Sequence, residues 1–193
     1  MVILVTGFEP FGKMIDNPSQ SIIEHLLKQN KPNIFAQVLP VDYQLAGKQL
    51  LSLIHDLNPD AVVMLGLAQG RKHISLERIA ININDANMPD NEGKLVRGKK
   101  IANDAPVGYW STLPLEEFYQ AVESASIPVK YSNHAGAYLC NHVMYSALHH
   151  FADGKQSIPC GFIHVPTVET VALKAQIHAI DLCLGILSEE IMA

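Results

Sequence analysis

Cys140, His164 and Glu77 are the residue types from which a protein builds a thiol nucleophile, a base within reach of it and a carboxylate that fixes the base's tautomer. After Cys140, the apolar side chains Val143, Met144, Ala147, Leu148 and Phe151 recur at helical spacing, which predicts a helix from about Ala137 to Phe151 with the cysteine in its first turn. Unpaired amides and the helix dipole favour an anion there, so the thiol pKa is expected to fall and a thiolate to be accessible near neutral pH. A small buried hydrophobe is the competing reading of the same cysteine. His164 closes the run GFIH just before Pro166, and the carboxyl ends of parallel strands are where ligand crevices form; a half-exposed polar histidine is the plainer alternative. If ISLERIAINI is a strand, alternation sets Glu77 on one face with Ile79, Ile81 and Ile83, and Arg78 on the other with Leu76 and Ala80. A carboxylate on an apolar face needs a partner, either an imidazolium or a nearby base such as Arg71. Spacing along the chain does not show that the three residues meet, and a cysteine-histidine hydrolase is one of several chemistries they permit.

Other arrangements of the same residue types are weaker. His134, His142, His149 and His150 crowd around Cys140, and with His164 a zinc site can be imagined. Residues two apart on a helix point in different directions, so Cys140 and His142 are poor joint ligands and no metal is expected. Cys140, Cys160 and Cys183 form no CxxC pair and are odd in number, which argues against zinc knuckles and structural disulfides alike.

The elements that must position these residues alternate. Strands are predicted at VILVTG, IFAQVLPV, DAVVMLGLA, ISLERIAINI, IPVKY and IPCGFIHV. Helices are predicted from Ser21 in SIIEHLLKQ, over YQLAGKQLLSLIHDL and LEEFYQAVES, around Cys140, and over TVETVALKAQIHAIDLCLGILSEE, where Thr167 can cap. This order predicts an α/β fold with a mostly parallel sheet covered by helices on both faces. From Asn84 to Ser111 the periodicity fails amid Pro89, Gly93, Gly98 and Pro106, which reads as a long loop, either a lid or binding loop or a merely mobile one. With 193 residues, 48% of them apolar, the chain fits one domain, residues 1–193. Charged residues are 17% and the net charge is -5, which excludes the basic footprint of a nucleic-acid binder. No apolar run approaches the roughly 18 residues of a membrane span, and MVILVTGFEP lacks a signal peptide's charged start, so a cytoplasmic location is expected.

Read together, TGFEPFG from Thr6, ISLERIAIN from Ile74, AGAYLCN from Ala135 and GFIHVP from Gly161 resemble the pyroglutamyl peptidase I family of cysteine peptidases, in the same order and at compatible separations. NDANMPDNEG from Asn84 is similar to that family's DARIPDNEG-type loop, and the resemblance runs from residue 2 to about residue 166. It implies a three-layer α/β/α sandwich with a twisted central sheet, removal of an N-terminal pyroglutamate from peptides, no metal or cofactor, and a homotetramer. It also implies a triad of Cys140, His164 and Glu77. Phe8 and Phe11 would form an apolar wall for the pyrrolidone ring, with Asn17 as a polar contact and Met88, Tyr138 and Leu139 near the pocket; ordinary core packing is the alternative for the two phenylalanines.

The chain departs from the family pattern at several edges. His134 stands where many members carry Ser or Thr, Asn87 where many have Arg, and Gln69 where a small residue or Pro is usual. Only 29 residues follow His164 (193 minus 164), fewer than in many relatives. Two other functions stay open. A nucleoside phosphorylase-like enzyme shares the overall fold but needs an anion site, for which Arg71, Arg78 and Lys13 are the available cations; a catalytically silent binding module would keep the pocket without turnover.

Overall fold

The computed structural model describes residues 1–154 and 157–192. Its strands are β1 (Ile3–Phe8), β2 (Ile34–Leu39), β3 (Ala61–Leu67), β4 (Ile74–Glu77), β5 (Ile79–Ile81), β6 (Gly108–Trp110), β7 (Val129–Ser132) and β8 (Cys160–Val165). Six of them form the main sheet in the order β2-β1-β3-β8-β4-β7. All neighbours in it pair in parallel except β4 and β8, so β4 and β7 run against the other four. The helices are α1 (Pro18–Gln29), α2 (Ala46–Leu57), α3 (Leu115–Ser124), α4 (Leu139–Asp153) and α5 (Leu173–Met192).

Alternation along the buried strands feeds two cores. Ile3 and Val5 of β1 and Ile163 and Val165 of β8 pack with α1, α3 and α5, through side chains such as Ile23, Phe118 and Leu184. Leu4 and Phe8 of β1 and Phe162 of β8 pack with α2 and α4, through Leu50, Val143 and Met144 among others. The result is the three-layer α/β/α sandwich, with β1, β3 and β8 buried along their whole length as strands covered on both faces must be.

Four local expectations need correction. Helix α1 begins at Pro18 rather than Ser21, because Asn17 caps it through Oδ1, which accepts from Ser19 N at 3.0 Å, and proline suits the first helical position. ISLERIAINI is not one strand. It breaks at Arg78 into β4 and β5, and β5 leaves the main sheet to pair with β6, so the alternation beyond Glu77 does not carry across. Arg78 instead stacks its guanidinium 4.1 Å from the Tyr131 ring centre. The segment read as a continuous loop to Ser111 therefore ends in a strand, and it also carries an isolated bridge between Asn84 and Lys99. Finally, α5 starts at Leu173, and Thr167 begins a separate turn instead: its backbone oxygen accepts from Thr170 N and Val171 N at 3.0 and 3.1 Å, and its hydroxyl pairs with Thr170 Oγ1 rather than capping an amide.

Candidate active site

Cys140 is the second residue of α4, whose N-cap Tyr138 makes no side-chain capping bond, so no capping side chain competes for the first-turn amides. The helix start is fixed from the far side by the buried Asn141. Its Oδ1 accepts from Ile81 N at 2.9 Å, and its Nδ2 donates to Ile81 O and Ile83 O at 2.8 and 3.0 Å. Beneath the thiol lies Gly66 of β3: a Cβ there would stand 2.8 Å from Cys140 Sγ and 2.7 Å from Phe162 Cζ. Glycine is required by close approach at this position.

His164 sits one residue before the end of β8 and shares a sheet face with Phe162, their ring centres 4.7 Å apart. It and Cys140 line the same cavity of about 220 Å³. Its Nδ1 lies 2.7 Å from Oε1 of the fully buried Glu77, the last residue of β4, so Nδ1–H donates to the carboxylate and Nε2 is left as the acceptor. The same Oε1 accepts from Arg71 Nη1, while Oε2 is buried with no hydrogen-bond partner among the described residues. Both partners foreseen as alternatives for Glu77 are thus present together.

Charge states follow from this crowding. Burial opposes ionisation of Glu77, but the hydrogen bond and charge of His164, helped by the Ser132 hydroxyl and then by Arg71, hold the carboxyl below its usual range. For His164, burial lowers the pKa more than Glu77 raises it, with Arg71 adding to the lowering. Burial pushes the Cys140 thiol up to about 12, with the Glu77 charge in the same direction and Arg71 and a backbone hydrogen bond opposing it. Desolvation thus works against the drop of the thiol pKa expected at the helix start, with Arg71 and the backbone hydrogen bond working for it.

The cavity wall contains Phe8, Phe11, Asn17, Tyr138 and Leu139, and is mostly apolar. At about 220 Å³ it falls below the ~300 Å³ at which drug-sized sites begin, and suits one small residue. Asn17 spends most of its polar capacity on structure: Oδ1 accepts from Ser19 N and Oγ, and Nδ2 donates one hydrogen to Glu9 O at 2.9 Å, leaving one amide hydrogen. Met88 is not part of the wall. It is 36% exposed, and its Cε lies 3.2 Å from where a Cβ on Gly12 would stand. Of the departures, His134 lines the cavity, whereas Gln69 and Asn87 are exposed, with Gln69 Nε2 directed at Met14 Sδ.

Several residues that build the site went unread in the sequence. Glu9 Oε1 accepts from Val41 N and Asn91 Nδ2, each at 2.9 Å, tying the GFEPFG loop to the segment after β2 and to the NDANMPDNEG loop. Asp90 accepts from Tyr43 N at 3.0 Å and from Lys94 N at 2.7 Å. Their signal was a pair of carboxylates inside glycine- and proline-rich segments, where side chains bond backbone. Three of the other histidines have local partners: His142 Nδ1 is 3.1 Å from Asn84 Nδ2 and 3.3 Å from its Oδ1, His149 Nδ1 is 2.8 Å from Tyr109 OH, and His134 Nδ1 accepts from Gly136 N at 3.2 Å. Among the described residues no group of three or more His, Cys, Asp or Glu side chains is placed to hold a metal. No described helix is long and apolar enough to cross a membrane.

Comparison with known proteins fits this geometry. A family profile described as pyroglutamyl peptidase matches residues 1–191, further than the resemblance read up to about residue 166. The chain is 45% identical over 196 residues to a pyrrolidone-carboxylate peptidase of Oceanobacillus iheyensis, covering 96% of this chain and 98% of the relative. It is 42% identical over 175 residues to one of Deinococcus radiodurans, covering 89% and 80%. The solved structure of a mutant pyrrolidone carboxyl peptidase from the hyperthermophile Pyrococcus furiosus superposes with a TM-score of 0.93 at 36% identity, over 99% of this chain and 100% of that one, terminal segment included. On these matches, which span nearly the whole chain, the protein belongs to the pyroglutamyl peptidase family of cysteine peptidases.

Proposed function

We propose that the protein removes an N-terminal pyroglutamate from peptides with Cys140 as nucleophile, His164 as base and acid, and Glu77 orienting the imidazole. The observation that carries this reading is the Nδ1 contact of 2.7 Å between His164 and buried Glu77, which leaves Nε2 free for the cavity that Cys140 shares. As the thiol attacks the pyroglutamyl carbonyl, Nε2 takes its proton and the S–C bond forms. The tetrahedral oxyanion is stabilised by first-turn amides of α4. Collapse breaks the C–N bond, and the imidazolium gives its proton to the departing amine. Water, deprotonated by the same imidazole, then cleaves the thioester and restores the thiol.

Phe8 and Phe11 face the ring, and the remaining Asn17 amide hydrogen serves the lactam. A free N-terminal glutamine fits badly, because its charged amine would be desolvated without a partner. A cytoplasmic enzyme and a homotetramer complete the reading. The nucleoside phosphorylase reading has little support, since Arg71 is spent on Glu77, Arg78 on Tyr131, and Lys13 is exposed and outside the cavity wall. Hydrolysis of a pyroglutamyl chromogenic amide by the purified protein, abolished in Cys140→Ala with ligand binding retained, is the expected result. No hydrolysis by the wild type would leave the silent-module reading standing.

A further inference from the structure

Arg71 stands in the loop between β3 and β4, and its guanidinium bridges two parts of the site. Nη1 donates to Glu77 Oε1, the same oxygen that receives His164 Nδ1. Nη2 donates to His134 O at 3.3 Å, in the segment that leads from β7 into α4, and Ser132 Oγ donates to the same carbonyl at 3.2 Å. One planar fork therefore joins the buried carboxylate to the backbone ahead of Cys140. We propose that Arg71 is a positioning residue of the catalytic site, holding Glu77 ionised and turned toward His164 while setting the approach of the α4 start to the imidazole. The proposal rests on the functional reading above and adds to it a residue for which the sequence offered only an ion pair.

The physical case is one of geometry and charge. Glu77 is 0% exposed and its Oε2 has no described partner, so a neutral imidazole alone would leave a buried anion with a single hydrogen bond. Arg71 supplies the opposite charge on the oxygen that matters. A lysine in its place would offer a point charge on a flexible stem, without the rigid fork that reaches both acceptors. The titratable and charged groups around His164 are Glu77 of β4, Arg71 of the preceding loop and Cys140 of α4, with His134 and Tyr138 on the wall of the same cavity. Arg71 lowers the pKa of Glu77, Cys140 and His164.

The test compares wild type, Arg71→Gln and Arg71→Lys, each checked for folding by circular dichroism, in kcat and KM for a pyroglutamyl chromogenic amide across the pH range. Arg71→Gln is expected to lower kcat about 100-fold, the scale of a small misplacement of reacting groups, with KM little changed. Its acid limb in kcat/KM should move to higher pH, since the cation that disfavours imidazolium is gone. Arg71→Lys should lower kcat less and leave the limb in place. Wild-type kcat in Arg71→Gln, a loss confined to KM, or a fall in kcat with an unmoved limb would overturn the proposal. Should Arg71→Gln fail to fold, wild-type kcat in Arg71→Lys would overturn it equally. Titration of the His164 ring by NMR needs no substrate: an upward shift in Arg71→Gln beside an inactive wild type would retain the role of Arg71 and sink the functional reading instead, whereas an unshifted ring would count against Arg71.

Discussion

Glu77 carries both an imidazole and a guanidinium on Oε1, so its carboxylate can serve two uses, orienting His164 and forming a structural ion pair with Arg71. The two uses separate on removing the charge alone. Glu77→Gln keeps the shape and an acceptor for Nδ1–H but withdraws the anion that stabilises imidazolium, so kcat should fall by as much as ~10⁴-fold while ligand affinity changes little. Wild-type kcat in this variant would make Glu77 a structural carboxylate. The sequence placed Cys140, His164 and Glu77 near useful positions one at a time, through a helix start, a strand end and an apolar face. It could not place Arg71 on the same carboxylate oxygen as His164, because that meeting depends on how the β3–β4 loop turns back over the sheet. Nor could it weigh desolvation of the thiol against the helix start, since burial is a property of the assembled cavity.

At the scale of elements, the site is held by contacts between segments far apart in the chain: Asn141 of α4 clamps β5, and Gly66 of β3 leaves room for the sulfur. Gly66→Ala tests the second. Its new Cβ would meet both Cys140 Sγ and Phe162 Cζ inside normal contact, so the thiol or the ring must shift. We expect a fall in kcat on the order of 100-fold, larger in proportion than any loss of thermal stability; unchanged kcat and unchanged thiol labelling would show that the nucleophile has slack. Strand and helix periodicity was legible wherever both sheet faces are buried, as in β1, β3 and β8. It misled at Arg78, where alternation continues in the sequence while the backbone changes sheets, and at Thr167, which opens a turn and caps no helix. β6 escaped notice because it is three residues long and begins at a glycine soon after Pro106.

For the whole molecule, pH acts on stability through a histidine outside the reaction. His142 is packed edge-on against Tyr43 beside Asn84, and burial, with some help from Lys94, lowers its pKa to about 4. The unfolded chain, with an ordinary value near 6.5, binds this proton more readily. Stability from a neutral His142 is then fully present above about pH 6.5 and is lost as pH falls to about 4, by roughly 3 kcal/mol in all. Urea unfolding at pH 7 and pH 4.5 should show a drop in the wild type that His142→Gln reduces; an equal drop in both would assign the acid sensitivity elsewhere. The three-layer architecture itself was legible from the alternation of elements, whereas the size of the cavity arises only when segments distant in the chain converge. The most direct measurement of the central claim is to quench the enzyme during turnover of a pyroglutamyl ester and map the acylated residue by mass spectrometry. The expected result is one pyroglutamyl group on the peptide carrying Cys140, absent in Cys140→Ala; hydrolysis persisting in that variant, or the acyl group on Cys160 or Cys183, would contradict it.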